Sequence, residues 1–201
     1  MELESAYISF VAAEQRRPAS PAELGFSSAL AGEDFPAGWR KLEAAILRRR
    51  FDAALRLLSS DARAASYNSP ETLLALFFTW FEQMGDLHPF MQTLHRLDPQ
   101  PVLGESYLAE VKPAFLDLMK GLVAEGVENG AIARRWGATS FYPDLFWAKA
   151  ALLMRFWLYD DSPGFERTDA AIEKSLRFLF DLIQPNALDS GTDLFRFLFR
   201  F

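Results

Sequence analysis

The segment DLFWAKAALLMRFWLY, Asp144 to Tyr159, carries three charged residues in sixteen, so a helix built from it is apolar nearly all the way round. Such a helix is stable only when other elements cover it on every side. It is also too short and too charged to span a bilayer, which takes roughly 20 mostly apolar residues. The segment that follows has Ile172, Leu176, Leu179, Phe180 and Ile183 at helical spacing, with Glu173 and Arg177 set one turn apart on its wet side. A chain of 201 residues has few other elements to cover two such helices. The pair therefore predicts a four-helix contact between two copies, over about 141–160 and 165–184, that buries Leu152, Phe156, Leu176 and Phe180.

The rest of the chain also reads as all-α. Apolar residues Ala6, Tyr7, Phe10 and Val11 recur at helical spacing between Glu4 and Gln15, and Pro18 ends that run. Ser20 and Pro21 are a suitable start for a short helix running through Leu24 and Ala29 to Gly32. "EDFPAGW" precedes a long helix at about 40–59, with Leu42, Ile46, Ala53, Leu55 and Leu58 available to the core. "NSPETLLALFFTWFEQMG" reads as a helix capped by Ser69 and closed by Gly85 in a left-handed conformation. Further helices are expected at about 87–97, 103–128 and 190–200. In the last of these, "DLFRFLFRF", Leu194, Phe197, Leu198 and Phe201 share one face opposite Arg196 and Arg200, which predicts docking on protein rather than on a membrane. No strand alternation or internal repeat stands out.

Composition narrows the chemistry. There is no cysteine, which excludes a disulfide framework, a thiolate metal site and a cysteine nucleophile. The N-terminus MELESAYISF has no basic stretch ahead of its short apolar run, and the expectation is a soluble cytoplasmic protein. No G-x-S-x-G elbow, phosphate-cradling glycine loop or H-E-x-x-H motif offers a nucleophile, base or metal, so no enzyme, cofactor or metal site is expected. His88 and His95, seven apart, lack a third ligand at metal spacing. Asp160 and Asp161 in "YDDSPGF" read as a turn, and Arg48 to Arg50 in "RRRF" point in different directions around one helix.

Three short N-terminal helices, a long connecting helix and a larger helical body closing on an apolar pair resemble the TetR family of one-component transcription regulators. The resemblance is carried by "RPASPAEL", "FPAGWRKLEAAI", "NGAIARRW" and "YDDSPGFERTDAAIEKSLRFLFDLI". It implies a small helix-turn-helix head over about 1–45, a ligand-binding and dimerisation domain over 46–201, a homodimer, and a pocket for a small, mostly apolar effector.

The head's own chemistry opposes DNA. A reading helix needs Arg, Lys, Asn or Gln at base edges and basic residues at phosphates. Between Ala31 and Trp39 the polar side chains are instead Glu33 and Asp34, and Pro36 stands where the family usually has a tyrosine. Residues 1–45 hold seven acids against four bases, a net charge of −3, where counterion release needs the opposite sign. Arg16, Arg17, Arg40 and Lys41 remain candidates for phosphate contacts, with Ser27 and Ser28 as hydroxyl donors. The body is rich in the side chains that line apolar pockets: Phe77, Phe78, Trp80, Phe81, Met84, Phe90, Met91, Phe115, Met119, Phe141, Trp147 and Met154, with Arg155, Lys149 or a histidine as an anchor for a ligand's polar end. Three classes stay open: a ligand-responsive regulator, a TetR-fold dimer that binds lipid or another apolar molecule without DNA, and a protein-interaction scaffold.

Overall fold

The computed structural model describes residues 2–26, 38–60, 70–99, 106–135 and 138–185. Seven α-helices and five short 3-10 turns lie within these residues, and no strand is found among them. The helices are α1 (Glu2–Glu14), α2 (Trp39–Ser60), α3 (Pro70–Met84), α4 (His88–Leu97), α5 (Val111–Glu128), α6 (Tyr142–Leu158) and α7 (Glu166–Ile183). None among the described residues is long and apolar enough to cross a membrane. The stretch holding Ser27, Ser28, Glu33, Asp34 and Pro36, the cap Ser69 and the segment 190–200 lie outside the described residues.

The apolar periodicity sets each buried face. On α3, Leu73, Leu76, Phe77, Trp80, Phe81 and Met84 fall on one side and are all buried. On α2 the core residues are Leu42, Ile46, Leu47, Phe51, Ala54 and Leu58. Ala53 and Leu55, expected there, are only half-buried, because the helix is rotated to bring Phe51 against Trp80 with ring centroids 5.0 Å apart. Tyr7 and Val11 of α1 join the same continuous core, which runs to Ile183 of α7. α1 thus shares one packed interior with α2 and the helices that follow.

Three helix ends differ from the sequence expectation. The short helix at Pro21 stops at Leu24, since Gly25 takes φ +81° and its N–H returns to the Ala22 carbonyl. Gly85 does not take a left-handed cap. It opens a 3-10 turn, Gly85–Leu87, that leads straight into α4. The helix expected from 103 begins at Val111, after a 3-10 turn at Ser106–Leu108, because Pro113 lacks an N–H and fits only in a first turn.

The α6–α7 connection is built around a buried carboxylate. Asp160 accepts hydrogen bonds from the Ser162 amide (3.0 Å) and hydroxyl (2.6 Å), and from the Thr168 amide (2.8 Å) and hydroxyl (2.6 Å). It thereby closes the turn and satisfies a donor in the first turn of α7. "DDSPG" is a turn, as its sequence indicates. Between its two ends Gly164 and Phe165 both adopt positive φ, +62° and +61°. For Phe165 that conformation costs on the order of 1–2 kcal/mol.

Candidate functional site

The N-terminal arginines Arg16, Arg17 and Arg40 are committed to acids. Arg16 pairs with Glu23. Arg17 donates to both oxygens of Glu43, at 2.7 and 3.0 Å, and to Asp98 at 2.6 Å. Arg40 donates to the other Asp98 oxygen at 2.8 Å. Glu43 is 1% exposed and also accepts from the Tyr7 hydroxyl at 2.5 Å. One network therefore joins α1, the segment after it, α2 and the C-terminal cap of α4. Lys41 is exposed and has no ion pair among the described residues. Of the four bases expected at phosphates, three are held in carboxylate pairs. The three arginines of "RRRF" go separate ways, Arg48 to Asp52, Arg49 to Glu4 and Arg50 to Asp86.

The aromatic body residues divide into three groups. Phe77, Trp80, Met84, Phe90, Met91, Phe115, Met119, Trp147 and Met154 are buried in the core. Their rings meet edge-on, as in Phe77–Phe115 at 6.0 Å and Phe115–Trp147 at 5.7 Å, the arrangement that ring quadrupoles favour. Phe141 is 67% exposed, because it lies in the 3-10 turn before α6 and not on the helix's inward face. Arg155 lies on the outer side of α6, in a groove of about 380 Å³ with Leu152, Phe156, Tyr159, Asp160 and Arg167.

Phe81 lines a different hollow. A cleft of about 390 Å³ opens between α3 and the start of α7, lined by Phe78, Phe81, Glu82, Gly85, Trp157, Gly164, Phe165, Thr168 and Asp169. Its wall is reinforced from behind by His88, whose ring lies 4.7 Å from Trp157 and 4.8 Å from Phe165, and whose Nε2 is 2.9 Å from the Trp157 carbonyl oxygen. Burial first, then the negative charges of Asp160 and Glu166, raise the Asp169 carboxyl above the ordinary aspartate value. His88 begins α4 and Asp98 caps its other end, so one helix of ten residues touches both the cleft wall and the head's ion pairs. His95, two turns further along the same helix, contacts Tyr159 through Nε2 at 3.1 Å. Among the described residues no group of three His, Asp or Glu is placed to hold a metal ion.

The outer faces of α6 and α7 carry apolar surface. Leu145, Leu152, Phe156 and Tyr159 are exposed on or beside α6, and Phe178 and Leu182 on α7. The two helices pack on each other through Phe146 and Phe180, ring centroids 6.1 Å apart. Leu176 and Phe180, expected at the contact between copies, are 0% and 2% exposed, covered by the chain's own core. Phe178 and Leu182, on the opposite face of the same helix, are the outward apolar residues. The loop before α6 is tied down by Arg135, which donates to the Leu182 and Gln184 carbonyls, and by the Ala133 amide on the Ile183 carbonyl at 2.8 Å.

The sequence pattern of the Tetracyclin repressor-like C-terminal domain matches residues 72–198, more than half of the chain. The chain belongs to the TetR-like family. No curated protein matches it at a significant level. The matched region contains nearly all of α3 and the whole of α4 to α7, with the cleft and the outward apolar faces of this TetR-like protein; the ionic network precedes it apart from Asp98. Of the cleft residues, sequence reasoning named Phe78 and Phe81 and did not find Glu82, Trp157, Phe165 and Asp169, nor Glu43 and Asp98 of the ionic network. Glu43 had a readable signal, since it falls between Leu42 and Ile46 on the buried face of α2, where a carboxylate needs partners.

Proposed function

We propose that this TetR-like protein is a homodimeric, ligand-responsive transcription regulator in which α4 links an effector site in the body to a head that holds DNA weakly. One observation carries the reading. Asp98, at the end of α4, binds both Arg17 and Arg40 of the head, while His88, at its beginning, packs against the wall of the cleft. A ligand that shifts the cleft wall would act on α4, and α4 holds two of the bases that DNA needs. The cytoplasm is the compartment this role implies.

Replacing Asp98 by Asn should release Arg40 and loosen Arg17. Affinity for a short DNA duplex at low salt should then rise, and the slope of log affinity against log salt should steepen by about one to two, since each newly engaged phosphate contact contributes about 0.9. Fluorescence anisotropy across a salt series measures this. An unchanged slope contradicts the link between α4 and the head.

The exposed apolar residues of α6 and α7 support an isologous contact between two copies. The unaltered chain should sediment as a dimer at micromolar concentration, and Phe156→Glu should sediment as a monomer with its helical spectrum kept. A monomeric unaltered chain contradicts the interface.

The same ion pairs also favour a second reading, a TetR-fold dimer that binds its small molecule without touching DNA. A selection from genomic fragments at low salt separates the two. One enriched palindromic site supports the regulator, and no enrichment supports the second reading.

A further inference from the structure

The cleft between α3 and α7 has a chemistry that an apolar effector does not match. Four rings, Phe78, Phe81, Trp157 and Phe165, stand with two carboxylates, Glu82 and Asp169, and no lysine or arginine is among the lining residues. Neither carboxylate has an ion pair among the described residues. A neutral apolar occupant would remove both acids from water with no compensating charge, and an anion would add repulsion. An organic cation does the reverse, pairing with the carboxylates and lying against ring faces whose quadrupoles attract positive charge. The volume, about 390 Å³, falls within the range of small-molecule sites.

One further observation belongs to the same place. Phe165 is held in a left-handed conformation rare for a side chain of its size, and this sets its ring beside Trp157, centroids 5.8 Å apart. A strained aromatic and two unpaired acids meet at one cleft.

We infer that this cleft binds a quaternary or protonated organic amine. The inference names the effector class for the regulator proposed above and rests on that reading only for its consequence at the head.

Benzoylcholine and its neutral isostere 3,3-dimethylbutyl benzoate have nearly the same shape and differ in charge, so they isolate the contribution of the cation. In titrations of the full-length protein without DNA, followed by calorimetry and Trp fluorescence, benzoylcholine should bind roughly tenfold or more tightly than the isostere. The double substitution Glu82→Gln/Asp169→Asn should weaken benzoylcholine by about tenfold or more and leave the isostere's affinity nearly unchanged. Glu173→Gln, outside the cleft, should change neither. Failure of benzoylcholine to bind, equal binding of the isostere, or full affinity in the double variant overturns the inference. Because DNA is absent, such a failure leaves the regulator reading to be decided by the Asp98→Asn salt series. Binding of the cation without any change in DNA affinity keeps the site and removes its regulatory consequence.

Discussion

Replacing Glu43 by Ala should destabilise the protein by about 3–5 kcal/mol, the range found when one member of a buried charge pair is removed. Glu43 is nearly inaccessible and receives the Tyr7 hydroxyl and two bonds from Arg17. Its loss leaves the Arg17 guanidinium with Asp98 alone and the Tyr7 hydroxyl, itself fully buried, without its acceptor. For a chain of this size the midpoint of thermal unfolding should fall by roughly 10 °C. Tyr7→Phe removes one hydrogen bond and leaves the ion pair, so it should cost only about 1 kcal/mol. Its ring would still stack on Trp39 at 4.5 Å. A Glu43→Ala protein that unfolds within 1 kcal/mol of the original, a margin typical of a surface pair, would show that the network does not hold head to body.

The second large effect centres on Asp160. Four donors converge on this carboxylate, and Asp160→Ala should cost about 2–4 kcal/mol through lost capping and unsatisfied buried donors. The effect is also pH-dependent. Burial, the largest single influence, pushes the carboxyl up, and the hydrogen bonds donated by Ser162 and Thr168 more than reverse this, bringing it from 3.8 to about 2. The folded value lies below the unfolded one, so the stabilisation is fully present above about pH 4 and is lost as the pH falls from about 4 to about 2. Chemical denaturation of the original protein and of Asp160→Asn should show a constant stability difference from pH 7 to 5 that shrinks below pH 4. A difference that stays constant down to pH 3 would mean that the charged form of Asp160 is not what the turn recognises.

These two residues also show which parts of the molecule were legible in the sequence. The helices were, because their apolar residues recur at 3.6-residue spacing and Pro18, Pro70 and Pro163 punctuate them. The turn at "DDSPG" was legible from its composition alone. The family resemblance pointed to the same all-α body that the match over residues 72–198 supports. Helix rotation was harder to read: Leu176 and Phe180 lie on the core side of α7 and Phe178 and Leu182 on the outer side, although all four are apolar and spacing alone assigns none of them outward. An aromatic-rich body likewise does not say which rings fill the core and which line a hollow. Phe115 has four aromatic neighbours from other helices, whereas Phe165 reaches the cleft through a backbone conformation that no propensity predicts for phenylalanine. The head's ion pairs join residues up to 81 positions apart, as in Arg17 and Asp98. No local pattern records a contact of that kind.

The coupling of cleft to head through α4 is tested most directly by a double-mutant cycle on DNA affinity. Phe165→Ala alters the cleft wall where it meets His88 at the start of α4, and Asp98→Asn cuts the head's tie to the other end of that helix. Anisotropy titrations of the original protein, both single variants and the double variant at one low salt concentration give the coupling free energy directly. If α4 transmits the change, Phe165→Ala shifts DNA affinity by about threefold or more in the original background and has no effect once Asp98 is Asn, a coupling of roughly 0.7 kcal/mol or above. Strictly additive effects, or a DNA affinity that Phe165→Ala leaves unchanged in both backgrounds, would contradict a body that speaks to its head through this helix.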